Sequence, residues 1–126
     1  MRTTAAIALA LWSSTINAEQ LVSFPGHDVH WSIFNSTFLQ PDVAHRYGIA
    51  RSPSKAVLNL SILDTAGEAV GYPIQGHVTN LMGQKLPLEF RRIDDQHAIY
   101  FIASFAFTDG ETLAFAIDID FPGGTR

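Results

Sequence analysis

The chain has 126 residues, eight basic and twelve acidic side chains for a formal net charge of −4, and no cysteine. With 47% hydrophobic and 16% charged residues it is too apolar for a disordered segment or a coiled coil. The missing cysteine removes disulfides, thiolate metal sites and cysteine nucleophiles, and the acidic balance argues against a nucleic-acid binder.

The chain opens on Met1-Arg2-Thr3-Thr4, an apolar run from Ala5 to Trp12, and small and polar residues ending in Ala18. One positive charge, a short apolar stretch and a small-residue ending predict a secretory signal peptide over residues 1–18, cut after Ala18. The apolar run falls far short of the ~20 residues that cross a bilayer, so no permanent membrane anchor is expected. Residues 19–126 form a single domain on this reading, with seven basic and twelve acidic residues once Arg2 is removed.

Period-two alternation dominates residues 19–126. His27 to Phe34 places Val29, Trp31 and Ile33 on one face, with Trp31 expected in the core. Gln40 to Tyr47 predicts a short helix, with Pro41 at its first position, Asp42 in its first turn and Gly48 as its stop. Val57 to Leu63 reads as a strand apolar on both faces, and Ile74 to Met82 as a weaker one diluted by Gly76. Leu86, Leu88 and Phe90 alternate with Pro87, Glu89 and Arg91, which predicts an edge strand because proline donates no ladder bond. His97 to Phe107 reads as a central strand, and Leu113 to Ile119 alternates with Ala114, Ala116 and Asp118. Turn residues separate these segments, as in Asp64-Thr65-Ala66-Gly67 and Thr108-Asp109-Gly110. The pattern predicts an all-β fold, an immunoglobulin-like antiparallel β-sandwich with one short helix near residues 40–47. Phe101, Phe105, Phe107, Phe115 and Phe121 are expected in the core, with Phe34, Phe38 and Tyr47 plugging one end.

Candidate chemistry is sparse. His27, His30 and His77 are the candidate metal ligands among five histidines, although His27 and His30, three apart in a strand, point to opposite faces. No spacing among them is diagnostic of a metal. Ser52 and Lys55 satisfy a bare Ser-x-x-Lys spacing, but no helix is expected there to align them. Asp118 and Asp120 project from one face of the last strand, which more often marks a solvated face than a carboxylate pair. No cofactor and no enzymatic activity are expected. Arg46 and Tyr47, long side chains at the end of the short helix, are the candidate partner contacts.

Three stretches are distinctive: Ser36-Thr37-Phe38-Leu39-Gln40-Pro41-Asp42-Val43-Ala44 with Tyr47-Gly48-Ile49-Ala50-Arg51-Ser52, Asn80-Leu81-Met82-Gly83-Gln84, and Ala98-Ile99-Tyr100-Phe101-Ile102-Ala103-Ser104-Phe105. With the leader, they resemble the small exported proteins of Gram-negative bacteria grouped as domain of unknown function 4426. The likeness runs from about Glu19 to Asp120. It implies a periplasmic all-β domain without an assigned activity, so no catalytic residue carries over. It also implies a further strand after the last one, where this chain has only Pro122-Gly123-Gly124-Thr125-Arg126. An open sheet edge is therefore expected at Thr112, Ala114, Ala116 and Asp118, where an unknown protein partner could add a strand unless Glu19 to Gly26 covers it. The resulting expectation is a monomeric, non-enzymatic binding or accessory module of the periplasm, with a periplasmic metal-binding protein as the alternative.

Overall fold

The computed structural model describes residues 19–122 and the backbone of residues 2–10. The expected cut after Ala18 and the last four residues lie outside the described residues.

Two antiparallel sheets face each other. One has the order β1 (Arg2–Ala10), β10 (Thr112–Asp120), β6 (Ile74–Asn80), β7 (Lys85–Leu88). The other runs β2 (Gln20–Phe24), β3 (His27–Asn35), β4 (Lys55–Asp64), β9 (Ala98–Ala106), β8 (Arg91–Asp95), with the two-residue β5 (Ala69–Val70) on β4. The single α-helix among the described residues, α1 (Pro41–Arg46), follows a 3-10 turn over Ser36–Phe38. The expected all-β sandwich with one short helix is the observed architecture.

The core sits where the two inner faces meet. Val29 and Trp31 from β3, Leu58, Leu60 and Ile62 from β4, Phe101 and Phe105 from β9, and Leu113, Phe115, Ile117 and Ile119 from β10 are all buried there. Each set alternates along its strand, because successive side chains of a strand leave on opposite faces. Phe115 meets Phe105 edge-on at 5.1 Å between ring centroids. Burying a side chain of this kind contributes roughly 1.5–3 kcal/mol, so the core needs no covalent staple.

Three segments differ from the sequence expectation. Glu19 to Gly26 does not cover β10: its Gln20–Phe24 pairs with β3 through a Pro25-Gly26 turn, where Gly26 holds φ +83°. The strand expected to reach Met82 stops at Asn80, whose Oδ1 accepts from the backbone N–H of Met82 and of Gln84, both at 3.0 Å. That turn leaves Leu81 and Met82 each 83% exposed. The edge strand expected over Leu86 to Arg91 is two strands. Its first part, β7, pairs with β6; Glu89 and Phe90 then carry the chain across to the other sheet, where Arg91 pairs with Ile102. Alternation continues through the crossing, so period alone does not reveal it.

Candidate ligand cleft

The outer face of the larger sheet carries a second, smaller buried group. Val57 leaves β4 on the side away from the core and is fully buried there. Ser36 and Ala44 are buried too, outside the main core. The segment leading into α1 is stitched to the residues just before β4. The Ser36 hydroxyl donates to the Ser52 carbonyl and accepts from the Ser52 N–H, both at 2.9 Å. Asn35 Nδ2 donates to the Pro53 carbonyl at 2.9 Å, and Arg51 Nη2 donates to the Thr37 carbonyl at 3.0 Å. A fully buried hydroxyl is tolerated because it both gives and receives a bond.

Helix α1 ends in a Schellman arrangement: Gly48 N–H donates to His45 O at 3.2 Å and Ile49 N–H to Ala44 O at 2.8 Å. Gly48 sits at φ +69°, the left-handed conformation that this motif requires. The turn brings Gly48 against Arg91: a side-chain carbon built at Gly48 would lie 3.5 Å from Arg91 Nη1. Between this turn, the Glu89–Phe90 crossing and β9 lies a half-open cleft of about 620 Å³. Tyr47, Ile49, Phe90 and Ile102 line it as half-buried side chains, and Glu89, Arg91 and Ser104 line it as exposed ones.

The polar groups at this cleft are uncommitted. Arg91, Glu89 and Ser104 make no side-chain hydrogen bond or ion pair among the described residues. Arg92, one position on, is held by Asp94 at 3.0 Å. Most of the cleft's accessible lining is polar, and the half-buried side chains supply a smaller apolar part. Arg91 offers a fork of donors suited to a carboxylate or phosphate.

Of the expected contacts, Tyr47 lines this cleft and Arg46 lies with its guanidinium carbon 5.9 Å from the Tyr47 ring centroid, a cation–π contact. Sequence reasoning misses Arg91, Glu89 and Ser104. The Pro87 to Arg91 stretch is the available signal, since a proline beside a charge pair marks an irregular edge.

The histidines fall apart in space. His27 Nε2 shares a 2.7 Å hydrogen bond with the Tyr72 hydroxyl and its ring lies 4.8 Å from Phe121. His30 Nδ1 stands 3.5 Å from Glu19, and His77 lies in the other sheet opposite Ala116. Among the described residues no group of three His, Asp or Glu side chains could hold a metal ion. The Ser52 hydroxyl is shared with Ser54 at 3.0 Å and bonds no lysine. Of the plug expected from Phe34, Phe38 and Tyr47, Phe38 is 49% exposed, while Phe34 and Tyr47 are half-buried. Phe24, His27, Tyr72 and Phe121 close the opposite end, with ring contacts of 5.4 Å (Phe24–Phe121) and 5.7 Å (Tyr72–Phe121).

Thr112, Ala114, Ala116 and Asp118 lie on β10 as expected, but in the full chain its outer edge is not open. It pairs with β1 over nine residues, from Arg2 opposite Asp120 to Ala10 opposite Thr112.

The family model for Domain of unknown function (DUF4426) matches residues 22–126. The chain belongs to the DUF4426 family. A DUF4426 family protein of Pseudomonas aeruginosa PAO1 has a crystal structure that is 39% identical, with a TM-score of 0.75, over 85% of this chain and 86% of that one. No curated protein matches. The DUF4426 match spans every residue of the cleft, from Tyr47 to Ser104.

Proposed function

We propose that this DUF4426 protein is exported to the periplasm and acts there as a non-enzymatic binding module whose ligand site is the cleft beside Arg91. Export is supported by the leader: one base, eight apolar residues, and small residues up to Ala18. Binding is carried by one observation, the Arg91 guanidinium without a partner among the described residues, at a cleft that Tyr47, Phe90 and Ile102 also line. A free guanidinium beside a few apolar side chains suits a small ligand or peptide end that bears a carboxylate and an apolar group. Ser104 and Glu89 supply one further acceptor–donor and one acceptor at the same rim.

The test is a titration followed by NMR on protein recovered from the periplasm. N-acetyl-phenylalanine should shift the resonances of Ile102, Ser104 and the Arg91 Nε–H, while its amide, which lacks the carboxylate, should bind at least tenfold more weakly. Arg91→Ala should erase the difference between the two probes. Equal binding of acid and amide, or shifts that avoid these residues, would overturn the assignment.

A further inference from the structure

We infer that the outer edge of β10 is a strand-acceptor site, filled by the leader in the full chain and by an extended segment of another protein once the leader has gone. This acceptor role rests on the export reading and is independent of the cleft.

The seated strand shows what the edge takes. Its antiparallel register sets Leu9, Ile7, Ala5 and Thr3 opposite Leu113, Phe115, Ile117 and Ile119. Those four β10 residues are between 1% and 4% exposed. Arg2 stands opposite Asp120, and a recess of about 130 Å³ lined by Pro73, Ile74, Gln75, Asp118 and Asp120 opens at the same end. The other side of β10 is already committed to β6 from Leu113 to Ile119.

Removing residues 1–18 therefore strips a full row of rungs from β10, leaving backbone donors and acceptors along an edge whose side chains belong to the core. An edge of this kind is a template for another strand. Gln20–Phe24 cannot fill it, being paired with β3 in the opposite sheet. The occupant matching this edge is an extended segment of at least seven residues with alternating apolar positions. It carries a base near its N-terminal end, where it meets Asp118 and Asp120. A second copy of β10 fits less well. A pair centred on Ala116 sets Thr112 opposite Asp120, where the leader sets Arg2.

The experiment uses protein processed by the cell, its first residue checked by intact mass, and a peptide of residues 2–10 followed by two lysines for solubility. Hydrogen exchange of the alternate amides of Thr112 to Asp120 that point away from β6 should slow at least tenfold when the peptide is added. Methylating the peptide's backbone nitrogens at alternate residues should abolish protection in one parity and spare it in the other, because only one set of N–H groups faces β10. A saturating amount of N-acetyl-phenylalanine should leave peptide binding unchanged, so that failure at the cleft and failure at the edge are read separately. Three results overturn the proposal: slow exchange of the β10 amides that point away from β6 in the free monomer, no protection of them by millimolar peptide with circular dichroism intact, or a dimer that the peptide does not dissociate. If the cell retains the leader, the export reading fails, and the same titration on a chain begun at Glu19 decides the acceptor site by itself.

Discussion

The two ends of β4 are finished in opposite ways. At the Asp64 end, paired with His27, the sandwich is closed by aromatic rings, and the polar tip of Tyr72 is taken up by His27. Toward the Lys55 end, where Val57 pairs with Ser104, the surface opens into the cleft, and the charged groups around it have no partner among the described residues. Buried polar atoms are satisfied in nearly every native protein because leaving them bare costs stability. Groups left bare at an exposed cleft cost little and remain available to a ligand. The closed end thus serves stability, and the open end leaves charged groups exposed where the proposed ligand would dock.

Substitutions can break that contrast, beginning with the largest effect. Phe121→Ala removes the ring that touches Phe24, His27 and Tyr72, and should cost about 3–5 kcal/mol in a denaturant melt. A loss below ~1 kcal/mol would mean that the rings close nothing. Gly48→Ala forces a side chain into the left-handed conformation and should cost about 1–2 kcal/mol, while its added carbon meets Arg91 only at van der Waals distance and should leave probe binding unchanged. Its melt and its ligand titration check the two expectations. Tyr72→Phe deletes only the hydroxyl bonded to His27, worth about 0.5–1.5 kcal/mol by the same melt. Arg91→Ala should move stability by less than ~0.5 kcal/mol and yet remove the preference for a carboxylate probe. A large destabilisation by Arg91→Ala would show the open end to be structural after all.

How much the sequence makes legible depends on how local each signal is. Val29 and Trp31, or Phe115, Ile117 and Ile119, announce their strands because alternation is a property of neighbouring residues. Pro41 and Gly48 bracket the helix for the same reason, since each fixes its own backbone angle. The Glu89–Phe90 crossing is invisible because Leu88 and Phe90 keep the parity of one strand while their backbones serve two sheets. The cleft is hidden more deeply. Tyr47, Arg91 and Ser104 come from three distant segments, and nothing about their spacing encodes that a Schellman turn and a sheet crossing will meet. The histidines show the reverse error: residue types suited to metal are present, but His27 is occupied by Tyr72 and His77 lies in the other sheet.

The pairing of β1 with β10 also has a consequence in time. The β2–β3 hairpin closes across two residues, whereas the nearest rung between the leader and β10, Ala10 with Thr112, closes a loop of more than a hundred. Contacts so distant in sequence form late, and here the second partner is also synthesised last. At about 5–20 residues per second, roughly 5–20 s separate the emergence of the leader from that of its strand partner. If the chain is exported as proposed, a leader engaged by the export machinery within that interval never meets β10. One that is not engaged can fold back and lock itself into the sheet, so on the proposed export reading the same nine residues would act as a passport early and as a latch late.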